Sequence, residues 1–195
     1  MNSLVTTVKT FAVITVLCGL AYPLAVTGIC QLLFPAKANG SLVFRHGAII
    51  GSRLVGQQWT SPRYFHARPS AVAYNTLPSG ASNANVAGLL LKDSVSARGK
   101  EFRRVNQLPR ETPVPPDMLF SSGSGIDPDI SPETALLQVD RIALQRRMER
   151  FGREALENLV ERSVEKPVFG FLGNARINVL DLNRSLDSLE KEIQP

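Results

Sequence analysis

A chain of 195 residues, 44% apolar and 20% charged, has room for one ordinary domain and something more apolar besides. Its net charge of +5 is spread widely and forms no basic stripe interleaved with aromatics, although Arg pairs occur at 103–104 and 146–147, so nucleic acid is excluded as a partner. Two histidines and two cysteines are too few for a disulfide framework or a catalytic zinc site, the more so because Cys18 and Cys30 both lie in the apolar stretch described next.

From Phe11 to Phe34 the chain runs 24 residues without a charge, preceded only by Lys9. About 20 apolar residues cross the bilayer hydrocarbon as a helix, so this stretch spans a membrane with some tilt, and Pro23 near its middle predicts a kink. Ala36-Lys37-Ala38 has the small-x-small form of a signal-peptidase site, but signal-peptide cores run about 7–15 residues and this one is far longer. An uncleaved anchor is the expectation. Lys9 on one side, with Lys37 and Arg45 on the other, leaves the charge rule without force on orientation. The short polar head has the form of a signal anchor with a cytoplasmic N-terminus. The expected layout is therefore a cytoplasmic head over residues 1–10, a transmembrane helix over 11–34 and an external soluble domain over 35–195. Gly19, Ala21, Ala25 and Gly28 are candidates for close packing against partner helices.

Beyond the span, the apolar runs 42–44 and 48–50 predict two short strands joined at Arg45-His46-Gly47. Residues 60–88 hold too many Pro, Gly, Ser and Asn for regular structure, yet Tyr64, Phe65 and Tyr74 predict an ordered loop that packs onto something. A helix is expected from about 85 to 106, capped by Ser82 or Asn83, with Val86, Leu89 and Leu90 inward. After a proline-rich connection, Ala135, Val139 and Ile142 recur at helical spacing, with Asp140, Arg141, Gln145 and Arg146 on the polar side. A further amphipathic segment follows Gly152 with Leu156, Leu159, Val160 and Val164 inward. Ile177 to Leu180 reads as a last strand and 182–189 as a short helix. The fold class is α+β: one N-terminal transmembrane helix followed by a small mixed α/β soluble domain.

The motifs carry little chemistry. Gly51 to Gly56 has the glycine spacing of a P-loop, but Gln57-Gln58 replaces the lysine and hydroxyl that neutralise phosphate and hold magnesium. None of the seven aspartates is followed by lysine, so the phosphorylated Asp-Lys-Thr-Gly of P-type pumps is absent. A tethered hydrolase would have to draw its nucleophile and base from Ser124, Ser131, His46 and His66, and Gly123-Ser124-Gly125 lacks nucleophile-elbow spacing. Ser131-Pro132-Glu133 reads instead as a helix start, with Ser131 the N-cap, proline at the first position and an acid on the dipole. His66 and Arg68, two apart in an extended segment, would point the same way toward a partner.

Taken in order behind one span, "NGSLV", "YFHARPSAVAY", "SGASN", "SGSGIDPDISPETALLQVDRIA" and "INVLDLN" closely resemble the C subunit of the Kdp potassium-transporting ATPase. The likeness covers nearly the whole chain. The sequence departs from the family habit at Gly80-Ala81, where two glycines are common after the serine, and at Trp59, where Phe or Tyr is usual; neither change removes a charge.

That resemblance implies a single-pass, non-catalytic subunit of an ATP-driven potassium uptake pump in the bacterial inner membrane, its soluble domain periplasmic. Implied partners are a channel-like potassium-binding subunit, a P-type ATP-hydrolysing subunit and a small single-span subunit. It implies roles in assembly and as a catalytic chaperone raising ATP affinity, or else as an external cap shaping potassium entry. No metal or resident cofactor is implied; ATP is proposed for the family together with the pumping subunit, and potassium is the transported ion. The residues it singles out as a partner or ligand surface are His66, Arg68, Ser70, Ser79, Ser82 and Asn83 in one block, and Ser122, Ser124, Asp127, Ser131 and Gln138 in another.

Overall fold

The computed structural model describes residues 2–45, 47–148 and 150–193, and the chain divides into two compact units, one ending at Ile50 and the other starting at Gly51. The first unit is dominated by one apolar helical rod. Its parts are α1 (Asn2–Val16), a π-helical turn (Leu17–Ala21) and α2 (Tyr22–Leu33). The π turn has a local cause: Pro23 has no N–H to give the preceding turn, and the helix widens so that the Tyr22 N–H bonds to Leu17 O. Ser3–Leu33 includes an 18-residue stretch of mean hydropathy 2.0 and runs 31 residues, long and apolar enough to cross a membrane. At 1.5 Å per residue that is roughly 46 Å, the depth of a bilayer with its headgroups. Gly19, Ala21, Ala25 and Gly28 all face outward from this single rod. A short helix α3 (Pro35–Ala38) follows, then β1 (Leu42–Arg45) paired with β2 (Ala48–Ser52). The hairpin is as expected; its His46 lies outside the described residues.

The second unit holds α4 (Leu89–Asn106), α5 (Pro116–Leu119), β3 (Asp129–Ile130), α6 (Pro132–Leu136), α7 (Val139–Gln145), α8 (Arg150–Arg162), β4 (Ile177–Asn178) and α9 (Val179–Ile193). Antiparallel β3 and β4 pair Asp129 with Asn178 and Ile130 with Ile177. Its main core joins Ile130, Val139, Ile142, Leu156, Val160, Ile177, Leu182 and Leu186, each side chain contributing about 1.5–3 kcal/mol on burial. A smaller cluster of Phe102, Val114 and Met118 sits under α4. The mixed helix and strand class therefore stands.

Four local expectations are corrected. The helix expected from 85 begins at Leu89 with no side-chain cap, because Asn85 Oδ1 accepts from the Ala87 N–H (3.0 Å) and holds residues 85–88 in a turn. Val86, Leu89 and Leu90 consequently lie exposed, and Gly99, Phe102 and Asn106 form the buried face. The helix from 132 breaks into α6 and α7 at Leu137-Gln138. Arg141 and Arg146, assigned to a polar face, are about as buried as the core leucines, at 1% and 2% exposure. Finally, Val179 and Leu180 open α9 rather than extending a strand, because Asn178 Oδ1 accepts from the Asp181 N–H (3.2 Å) as a helix cap.

The irregular segment from Thr60 to Tyr74 is ordered because helix side chains satisfy its backbone. Asn183 Oδ1 accepts from the Phe65 N–H (2.8 Å) while its Nδ2 donates to Phe65 O (3.0 Å). Gln138 does the same for His66, at 2.8 and 3.2 Å. Arg141 donates to the carbonyls of Pro62 and Tyr64, and Arg146 to that of Arg63. The Phe65 ring enters the main core at 0% exposure. Removing the Asn183 amide would leave a buried N–H and C=O without partners, so Asn183→Ala is expected to lower the stability of the second unit by about 3 kcal/mol. Urea unfolding of the detergent-solubilised chain, followed by the fluorescence of its one tryptophan, Trp59, reads this; an unshifted midpoint would show that the strap is not anchored there.

Candidate functional site

The two polar blocks singled out in the sequence meet in space. Arg68 Nη1 lies 2.7 Å from Asp127 Oδ2, a half-buried ion pair. Ser70 Oγ donates to Gly125 O (2.6 Å) and accepts from the N–H groups of Val72 (3.1 Å) and Tyr74 (2.9 Å), using its full hydrogen-bonding capacity. Tyr74 donates its hydroxyl to Arg68 O at 2.7 Å. Gly125 has φ +73°, and a Cβ there would stand 2.7 Å from Gly80 O and 2.6 Å from Val72 Cγ2, so the second block can close on the first only with glycine at this position. Gly56 closes on the same point, its N–H bonding to Ile126 O at 2.7 Å.

The remaining candidates divide into spent and exposed groups. Ser131 Oγ accepts from the Thr134 N–H at 3.1 Å and so caps α6, while Asp117 accepts from both the Ser131 N–H and the Thr134 hydroxyl. Ser122 and Gln138 are buried. Ser124 is exposed and accepts only from the Ile126 N–H two residues on (3.2 Å), a local turn contact. Ser79, Ser82 and Asn83 are exposed on the loop that carries Leu77 and Val86, which are exposed too. His66 Nε2 lies 3.1 Å from Ser61 O.

Sequence reasoning missed the neighbouring cleft of about 1040 Å³, which the 58–74 strap forms with α4. Trp59, His66, Tyr74, Arg98, Arg104 and Asn106 are among its lining residues. Its rim charges are engaged: Arg104 with Glu101 at 2.6 Å, and Arg98 with Leu119 O at 3.0 Å. Behind the cleft Arg141 is buried against neutral oxygens of Asn106, Gln138, Pro62 and Tyr64, and burial pushes its guanidinium down to about 10, still protonated at neutral pH. No pattern in the sequence marks it, since Arg at a helical polar position ordinarily reads as solvated. Among the described residues no group of three or more His, Cys, Asp and Glu could hold a metal ion.

What this arrangement offers chemically is shape and adhesion. The buried and half-buried polar side chains are committed to holding loops on one another and on helix starts, with exposed apolar and amide groups left at the surface. Residues 4–188 match the model of the family described as K+-transporting ATPase, c chain (KdpC). The chain belongs to the KdpC family. It is 45% identical over 190 residues to a potassium-transporting ATPase KdpC subunit of Methylobacterium nodulans, covering 90% of this chain and 92% of the relative. Relatives of the same name in Allorhizobium ampelinum and Leptospira interrogans are 46% and 42% identical over 89% and 96% of this chain, and over 90% and 95% of their own. Membership places the chain in potassium transport, as a subunit of a membrane transporter, and among the described residues it has one apolar helix long enough to span a membrane.

One titratable group at this site makes a measurable statement. Burial, and after it the charge of Arg141, push the His66 imidazole below its ordinary 6.5, against a smaller opposing effect of Ser61 O. The unfolded chain therefore takes up this proton first. The resulting stability is present above about pH 6.5 and is lost as pH falls toward the folded value. The urea midpoint read from Trp59 is expected to fall between about pH 7.5 and 5.5, and to fall less in His66→Asn. Equal slopes in the two proteins would assign the dependence to another group.

Proposed function

We propose that this chain is a non-catalytic subunit of an ATP-driven potassium uptake pump. Its span lies among partner helices, its N-terminus in the cytoplasm, and its soluble domain, residues 35–195, in the periplasm, where it stabilises the complex and shapes the approach of potassium. The partners are a channel-like potassium-binding subunit, a P-type ATP-hydrolysing subunit and a small single-span subunit. The observation that carries this reading is the use of the two polar blocks. Arg68, Ser70 and Asp127 tie one loop to another, Gln138 ties a loop to the start of α7 and Ser131 caps α6, and what they leave at the surface is a loop bearing Leu77, Ser79, Ser82, Asn83 and Val86, suited to docking.

On this topology the domain has no access to ATP, which is cytoplasmic, so any effect on ATP affinity passes through the pumping subunit. A single cysteine at Ser124, with Cys18 and Cys30 replaced, tests the topology. Ser124 is exposed, so it is expected to react with a membrane-impermeant thiol reagent in intact spheroplasts. Reaction only after the membrane is opened would place the domain in the cytoplasm and make direct ATP contact the leading account.

The span tests assembly. A Cβ at Gly28 meets nothing within 4 Å in this chain, so Gly28→Leu costs the isolated helix nothing sterically. Where neighbouring helices approach closely at small residues, the same change is expected to reduce the yield of intact complex severalfold on co-purification. An unchanged yield would remove this face of the span from the interface.

A further inference from the structure

Between α8 and β4 the chain makes an excursion that the domain's own packing does not explain. Glu165 and Arg176 bond backbone to backbone in both directions, at 2.8 and 3.1 Å, and above that base Val168 and Leu172 do so again, at 3.0 and 2.9 Å. This narrow hairpin presents only apolar side chains and a glycine at its tip. Phe169 is 84% exposed and Phe171 75%, with Val168 and Leu172 more than half exposed beside them.

The backbone adds an independent observation. Gly170 and Gly173 have φ of +82° and +87°, as glycines in tight turns do, but Phe169 also sits in the left-handed region, at φ +55°. Bulky residues rarely adopt that conformation, and surface turns that require it ordinarily use Gly, Asn or Asp. Phe169 therefore bears a strained backbone and gains no burial in return. Strain of this kind collects at sites that engage something.

The surroundings decide between a membrane surface and a protein. Arg176 is paired with Asp129 and Glu165, each at 3.1 Å, and with Lys166 the base of the hairpin holds two acidic and two basic residues. Such a collar has no net charge to attract anionic headgroups, and the tip holds neither the Trp nor the Tyr of an interfacial anchor. A stiff pair of rings on a strained turn suits a shaped recess, and the chain's relatives are named as subunits of a larger transporter. We propose that the 168–172 tip is a docking knob whose two phenylalanine rings seat in an apolar recess on another subunit of the same potassium-transporting ATPase. This rests on the subunit reading above and adds a defined contact to it. Two phenylalanines bury some 150–250 Å² each, well short of the roughly 800 Å² per partner of a stable interface. The knob is thus an anchoring point within a larger contact.

The test uses the full chain co-expressed with the other transporter subunits. With Phe169 replaced by benzoylphenylalanine, irradiation of the purified complex is expected to give an adduct joining this chain to another transporter subunit, identified by mass. An adduct to lipid alone, or none, overturns the proposal. In parallel, Phe169→Gly combined with Phe171→Ser is expected to cut the yield of complex at least fivefold while leaving the unfolding midpoint of the free chain unchanged or raised, since the glycine relieves the left-handed phenylalanine. An unchanged yield overturns it. Should the double variant fail to fold, the adduct decides. Failure of the subunit reading itself would show differently, as a wild-type chain that does not co-purify with the transporter at all.

Discussion

The soluble unit depends on one constraint: a strap without secondary structure must cross the top of its helices with its backbone groups satisfied. Neighbouring strands would ordinarily do this, but the sheet here is two residues long on each side. Carboxamides do it instead. Asn183 on α9 and Gln138 before α7 each offer one donor and one acceptor at fixed spacing, the same pair a strand residue would present to Phe65 and His66. Two buried guanidinium groups collect the carbonyls from Pro62 to Tyr64. Arg146 is compensated by Asp187 and Glu190, at 3.0 and 2.5 Å, whereas Arg141 donates to neutral oxygens of Asn106, Gln138, Pro62 and Tyr64. A buried charge held by neutral dipoles is costly to strand. The strap therefore cannot lift from α7 without exposing its own carbonyls and stranding that charge.

This arrangement gives the polar residues that stand out in the sequence a structural task. Arg68, Ser70, Asp127 and Gln138 look functional because they are polar, close in sequence to glycines and prolines, and outside regular structure. Those are also the properties of residues that replace missing strand partners. Loops ordinarily run over surfaces because buried loop backbone has no partners, and here the partners come from side chains.

How far the sequence could be read follows from the same physics. The apolar span, the hairpin at 42–52, the inward spacing of Val139, Ile142, Leu156 and Val160, and the helix start at Ser131 are local signals, and each appears where its period or cap puts it. The buried arginines were illegible because a helical period records only which side chains are apolar, and a guanidinium satisfied by carbonyls leaves no trace in it. The start of α9 was legible but misread: Ile177-Asn178-Val179-Leu180 has β-branched residues, yet Asn178 with an acid three positions on is also a helix-start signal, and the cap prevailed. Leu89 and Leu90 were assigned inward by period alone. The tertiary structure places them outside, on a surface that this chain by itself does not cover.

Exposed apolar groups at Leu77, Val86, Leu89 and Leu90, and at the 168–172 tip, bear on how such a subunit could affect its transporter. A protein that only adheres lowers the free energy of every state of the complex equally and changes no affinity. To raise the apparent affinity for ATP or potassium it must bind one conformation of the pump more tightly than another, and the gain is limited to that difference: a tenfold change needs about 1.4 kcal/mol. Contacts with partners at separated points, as proposed, would suit this, because a partner that changes shape can keep one contact only by loosening another. Under the proposed role, stabilising the complex and tuning its affinities would be two results of the same surfaces, with no nucleotide touching this chain.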